Sequence, residues 1–207
     1  MECIRKPKLT SLRYFECAAF RNANEPSKFE QPVEQSHADP TGEMQERGKI
    51  DVPGATWDKF ALDAWDGTFR VVTQKYDGLS SGTLTILDVQ NPDALAQLSS
   101  IDLVLPQLET VTATRFDGNR GYIVTAEQID PLFIVDLRDP SSPQVTGQVE
   151  MPGQLNHLEP LGDRLVALGQ DNADAGTWRF AVSLFDVADM SHPVMLERVT
   201  IGDGEYS

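Results

Sequence analysis

The sequence predicts an all-β fold, an incomplete β-propeller of about three four-stranded blades with stubs of two more, and three recurring landmarks predict it. Strand ends recur at Val52-Pro53-Gly54, Leu105-Pro106, Met151-Pro152-Gly153 and Ile201-Gly202. Hairpin turns recur at Asp66-Gly67, Asp117-Gly118 and Gly162-Asp163. A strand motif, an apolar pair followed by Asp, an apolar residue and an Asn or Asp three places after the first Asp, recurs at Asp88, Asp136 and Asp186. The prolines step from 53 to 106 to 152, the turns from 66 to 117 to 162, and the aspartates from 88 to 136 to 186. One phase of about fifty residues shared by independent landmarks marks a propeller-like repeat rather than a sandwich.

Residues 1–44 stand apart. Leu9 to Phe20 has enough apolar residues for a short strand or one amphipathic turn, but Arg21 to Met44 is dominated by Asn, Glu, Pro, Ser, Gln, Asp and Gly. Such a segment buries too little to offset the entropy of ordering, so a poorly ordered or irregular leader is expected, with a boundary near Gln45 and a propeller domain over 45–207. Gln45 to Val52 then reads as the last strand of a unit whose earlier strands are missing or unrecognised. Blades follow at about 56–105, 107–151 and 153–201, and Gly202 to Ser207 opens another.

In the middle blade the strands are expected at Glu109 to Phe116, Arg120 to Ala126, Leu132 to Leu137 and Gln144 to Glu150, joined by segments rich in Asp, Gly and Pro that favour reversals. The third strand is diagnostic. Leu132-Phe133-Ile134-Val135 is apolar on both faces, which requires cover on both sides, as blades stacked face to face supply. Gln144 to Glu150 is more polar and belongs at the rim. Three blades and two stubs do not close a ring, since propellers take about four to eight blades. The chain therefore reads as a piece of a longer protein, or as one of several copies that complete the ring, and the first reading is preferred.

Lys49 to Ser207 resembles secreted bacterial and archaeal proteins with a C-terminal β-propeller domain, the beta-propeller domain family with LVIVD-like repeats. The matching text is Val52-Pro53-Gly54, Phe69 to Thr73, Asn119 to Thr125, Asp130 to Leu137, Met151-Pro152-Gly153 and Ser183 to Val187. The resemblance implies an extracytoplasmic or secreted propeller and brings no catalytic constellation with it. Met1 to Lys8 is basic but no apolar run follows, so no signal peptide is read in this chain.

Thirty-two acidic against seventeen basic residues give a formal charge of −15. Affinity for nucleic-acid phosphates or anionic lipid comes from Lys and Arg, so nucleic-acid binding is not expected, and no apolar run is long enough for membrane insertion. Cys3 and Cys17 lack metal or redox spacing. His37, His157 and His192 form no local zinc motif, and no G-x-S-x-G nucleophile elbow is present. No catalytic residue and no cofactor are assigned. His157 is placed on an innermost strand, where it is a candidate for the axial face. Asp171-Asn172-Ala173-Asp174-Ala175-Gly176 fails the EF-hand template, because Ala173 and Ala175 occupy ligand positions, which leaves Asp171 and Asp174 as weak candidates for a looser calcium site. Asp88, Asp136 and Asp186 are assigned a structural task, accepting backbone N–H bonds that fix the turn after the strand. The expected function is a non-catalytic binding scaffold of an exported or cell-surface protein, with a protein or glycan as ligand. The alternative is a hydrolase or lyase whose site lies on the axial face of the complete propeller.

Overall fold

The computed structural model describes residues 13–17, 20–21, 29–38, 44–56, 58–75, 81–103, 110–126, 130–151, 153–172 and 178–202. These residues form sixteen strands and one short 3-10 turn at Lys59–Ala61. The first sheet holds β1 (Arg13–Cys17), β2 (Phe20–Arg21), β3 (Phe29–Ala38) and β4 (Met44–Pro53). Three antiparallel meanders follow: β5 (Leu62–Trp65) to β6 (Thr68–Lys75), β7 (Ser81–Asp88) and β8 (Ala96–Leu103); β9 (Thr110–Asp117) to β10 (Arg120–Ala126), β11 (Asp130–Asp136) and β12 (Gln144–Met151); and β13 (Gln154–Leu161) to β14 (Arg164–Asp171), β15 (Arg179–Asp186) and β16 (Val194–Ile201). They are the three expected four-stranded blades.

The four sheets stack, and each interface has its own apolar core. Val33 and Val52 of the first sheet meet Phe69, Val71 and Leu87 of the first blade. Val72, Leu84 and Ile86 on that blade's other face meet Val111, Ile123, Phe133 and Val135 of the second. Tyr122, Val124, Leu132 and Ile134 then meet Leu155, Leu158, Leu165, Ala167 and Phe185 of the third. Residues 132–135 are thus covered on both faces, because alternate side chains enter different interfaces. Burial of each Leu or Ile contributes about 1.5–3 kcal/mol relative to exposure, which makes these interfaces the main source of stability.

The repeat landmarks have local causes. Strand pairing leaves two-residue loops at Asp66-Gly67, Gly118-Asn119 and Gly162-Asp163, so the middle turn lies one residue later than its Asp-Gly text indicates. Asp66, Gly67, Gly118 and Gly162 have positive φ, as tight hairpins of this length require. The connectors into the first and third blades turn at Gly54 (φ 81°) and Gly153 (φ 92°), where a Cβ would lie 2.6 Å and 2.1 Å from the carbonyl oxygens of Gln74 and Gln170. In every blade the outermost strand carries a bulge against its neighbour, opposite Ile86/Leu87, Ile134/Val135 and Leu184/Phe185.

The expected irregular leader is corrected over part of its length. Phe29–Ala38 is a ten-residue strand paired along β4, and Arg13–Cys17 and Phe20–Arg21 pair with its other edge. Backbone pairing, with Val33 as a buried anchor, orders a segment whose composition is polar. The strands that precede Gln45 to Val52 are therefore present. Cys3 and most of the remaining leader lie outside the described residues.

Candidate functional site

The innermost strands β5, β9 and β13 start the three meanders, and β9 packs directly on β13. Their register places Asp63 opposite Arg70, Arg115 opposite Tyr122, and Glu159 opposite Val166. Counted from the hairpins, Asp63, Arg115 and Glu159 occupy one repeat position, so every blade presents a charge there.

Arg115 and Glu159 belong to a cluster built around Phe60. Asp58 caps the 3-10 turn by accepting the Phe60 N–H at 3.2 Å, which sets the ring beside the innermost strands. The Arg115 guanidinium lies 4.3 Å from the ring centroid and Lys59 Nζ 4.9 Å from it. Both cations gain from the negative potential of the ring face. His157 meets the same ring edge-on at 5.5 Å between centroids. Arg115 donates to Glu159 Oε2 at 2.9 Å, and His157 Nε2 lies 3.7 Å from that oxygen. Glu159 and His157 are half exposed or nearly so, at 50% and 37%. One cluster thus brings together an aromatic ring, a guanidinium, an imidazole and a carboxylate.

The equivalent position in the first blade behaves differently. Asp63 lies 3.3 Å from Arg70, whose side chain is 3% exposed and also donates to the Gly118 carbonyl of the next blade. Burial pushes the Asp63 carboxyl up, outweighing the attraction of Arg70, and pushes the Arg70 guanidinium down against the pull of Asp63 and Asp66. The Arg70 bond to Gly118 ties this pair to the next blade, a structural task that the Arg115–Glu159 pair does not share.

His157 thus stands on an innermost strand, in the Phe60 cluster. The calcium candidates are not seen together: Asp174 lies outside the described residues, and Asp171 is buried, with Arg198 Nη1 at 3.2 Å from its carboxylate. A cation at Asp171 would have to displace that guanidinium. Asp88, Asp136 and Asp186 accept the N–H groups of Gln90, Arg138 and Ala188 at 2.9, 3.0 and 3.0 Å. The second acid or amide of each motif repeats the device, with Asn91, Asp139 and Asp189 accepting from Asp93, Ser141 and Ser191 at 3.1, 2.9 and 2.9 Å. Between the second and third blades a groove is lined by Arg120, Arg138, Asp163 and Met190. Its cations are engaged: Arg120 donates to the Gly162 carbonyl and to Asp163 at 3.0 and 3.1 Å, and Arg138 binds Asp136.

Sequence reasoning singled out His157 as a candidate but not Phe60, Arg115 or Glu159. The available signal was the repeat itself, since aligning the hairpins by their paired residues puts Asp63, Arg115 and Glu159 in one column. Phe60 precedes its strand and has no counterpart that such an alignment would flag.

The sequence model of the family described as beta propeller domain matches residues 20–207, reaching into the segment that composition had set apart. An uncharacterised protein of Methanocaldococcus jannaschii is 30% identical over 152 residues, covering 71% of this chain and 23% of that protein. An uncharacterised protein of Archaeoglobus fulgidus is 29% identical over 168 residues, covering 80% of this chain and 25% of that protein. The chain spans about a quarter of the length of these two curated relatives.

Proposed function

The chain belongs to the beta propeller domain family, and from that premise we propose that it is a non-catalytic binding scaffold, part of a longer exported or cell-surface protein, that takes a protein or glycan ligand at the cluster around Phe60. The observation that carries this reading is the side-chain cluster around Phe60. The Phe60 ring, held with Lys59, Arg115, His157 and Glu159, sets apolar surface beside hydrogen-bond donors and an acceptor, a combination that can fix sugars and polar peptide side chains. Arg115, Glu159 and the ring already hold one another, so the groups are pre-organised and little ordering cost falls on binding. A scaffold role is further supported by the stacked sheets, since Arg115, His157 and Glu159 sit on paired strands and Phe60 on the capped turn that precedes β5. The extracytoplasmic placement rests on the family resemblance, and membrane fractionation of the source cells checks it.

The test is a screen of the purified chain against glycan and peptide arrays, repeated with Phe60→Ala and Arg115→Ala. A ligand retained by the wild type and weakened at least tenfold by both variants, with circular dichroism unchanged, supports binding at the Phe60 cluster. Ligands that bind both variants as well as wild type refute it. Hydrolytic or lyase turnover by the wild type that His157→Ala abolishes refutes the non-catalytic reading.

A further inference from the structure

We propose that the groove between the second and third blades, at the hairpin end of the domain, is a binding site for a neutral saccharide, with Trp65 as its stacking surface and the Tyr122 hydroxyl as a donor at its floor. The site uses none of the residues of the Phe60 cluster and is independent of any ligand there. The groove encloses about 530 Å³, a volume suited to a small ligand, and Asp117, Asn119, Arg120, Arg138, Asp163 and Met190 line it. Its cations are paired within the protein: Arg120 donates to Asp163 Oδ1 at 3.1 Å, and Arg138 is held by Asp136. With Asp117 added, the groove has no unopposed positive charge, and an anion gains nothing there in a chain of formal charge −15. It offers instead fixed N–H donors set beside carboxylate acceptors. A sugar hydroxyl both donates and accepts, so it can bridge such a pair without breaking it. Asp117 and Asn119 are exposed on the hairpin and add an acceptor and an amide for further hydroxyls.

Two further observations point to a ligand. The first is Tyr122, whose side chain is fully buried and whose hydroxyl has no hydrogen-bond partner of good geometry among the described residues. The charges that act on it are those of Arg120, Asp117 and Asp163, all three of them groove residues, which sets the hydroxyl against the groove. Arg120 can only donate, so it cannot take the phenolic proton. Burial raises the phenol above its ordinary pKa against the pull of Arg120, which keeps that proton in place as a donor. A buried donor left unspent costs stability, so packing alone does not account for it. The repeat shows the same, because Arg70, Tyr122 and Val166 share one position in the hairpin register. Arg70 donates to the Gly118 carbonyl of the next blade, but at the second interface that task passes to Arg120, which donates to the Gly162 carbonyl at 3.0 Å. The Tyr122 hydroxyl is therefore surplus to the joining of the blades. The second observation is Trp65, which is 48% exposed and whose Cζ2 lies 3.7 Å from where a Gly118 Cβ would stand. Gly118 lies between Asp117 and Asn119, so an uncovered indole borders the groove. The C–H face of a pyranose ring stacks on such a surface while its hydroxyls reach the polar groups beside it.

The experiment screens the 207-residue chain against arrays of neutral oligosaccharides, of sialylated and sulfated oligosaccharides, and of peptides. Retained probes are then titrated by calorimetry into wild type, Trp65→Ala, Asn119→Ala, Tyr122→Phe and Phe60→Ala, with circular dichroism to confirm that each variant is folded. The expected result is a neutral oligosaccharide bound at millimolar concentration or below, weakened at least tenfold by Trp65→Ala and at least threefold by Asn119→Ala and by Tyr122→Phe, and unaffected by Phe60→Ala. Tyr122→Phe carries a second readout. It removes an unpartnered hydroxyl, so its Tm should equal or exceed that of wild type, and a loss of affinity is then not a loss of folding. A panel with no neutral binder overturns the proposal, as does a neutral ligand whose affinity survives Trp65→Ala or Tyr122→Phe intact. A neutral ligand lost on Phe60→Ala and kept by Trp65→Ala supports the Phe60 cluster and overturns the groove. Retention of acidic oligosaccharides or of peptides alone also overturns it.

Discussion

Asp136→Ala isolates the device that defines the repeat. The Asp136 carboxylate accepts the Arg138 N–H at 3.0 Å and is also held by the Arg138 guanidinium, with Nε at 2.9 Å from Oδ2. Removing the acceptor leaves the first N–H of the turn unpaired at the end of a buried strand, a loss comparable to that of a helix N-cap, about 1 kcal/mol with a range of roughly 0.5–2. For a chain of this size about 1 kcal/mol shifts the Tm by roughly 2–4 °C. Asp136→Asn keeps an oxygen in the same place and removes only the charge, so it is expected to cost less than half as much. Differential scanning calorimetry of wild type, Asp136→Ala and Asp136→Asn measures the difference. Equal losses for Ala and Asn would show that the ion pair with Arg138, not the backbone acceptor, holds the turn, and an unchanged Tm for Ala would refute a structural task altogether.

Acid titration supplies a second check on the same residue. The Arg138 hydrogen bond holds the Asp136 carboxyl below its ordinary value, so its contribution is complete above the ordinary carboxylate pKa of about 3.9 and is lost as pH falls through the lower native value. The Tm gap between wild type and Asp136→Asn should therefore be constant well above the ordinary carboxylate value and shrink as the pH falls below it through the lower native value. Gly153→Ala should lower the Tm at least twice as much as Gly202→Ala. Both glycines have φ near 90°, but only at Gly153 would the new Cβ strike a backbone oxygen, 2.1 Å away. Leu132→Ala, at a fully buried site between the second and third blades, should cost about 2–5 kcal/mol in urea unfolding, whereas Leu196→Ala, 50% exposed at the rim, should stay within about 0.5 kcal/mol.

The blades were legible because their signals are local and repeated. Leu132 to Val135 declares a doubly covered strand, and the Asp motifs declare turns that their own side chains close. The first sheet was not legible for the opposite reason. Phe29–Ala38 has a single described buried anchor, Val33, and its order comes from pairing with β4, which leaves no apolar period to read. The middle hairpin misled by one residue because Asp117-Gly118 looks like a turn pair, while the register closes on Asp117 and Arg120. The buried Arg198–Asp171 pair was equally hidden, since it links the second and fourth strands of the last blade across 27 residues and no spacing rule connects them.

A repeat separates structural from functional positions by a simple contrast. Where the same chemistry returns in every blade and serves the same local bond, as at Asp88, Asp136 and Asp186, the fold accounts for it completely. The position shared by Asp63, Arg115 and Glu159 does not behave that way. It is charged in every blade but changes sign, and each residue has a different partner: Asp63 a buried arginine of its own blade, Arg115 and Glu159 one another across two blades. Propeller geometry does not demand a charge there, because each innermost strand is already anchored by its apolar neighbours, Val111 and Ala113 on β9 and Leu155 and Leu158 on β13. At Asp63 the charge serves a buried pair of the fold, whereas Arg115 and Glu159 stand partly exposed, so the proposed binding role rests on those two. That places the search for function at the variable column of the repeat, beside Phe60, and not at its constant motifs.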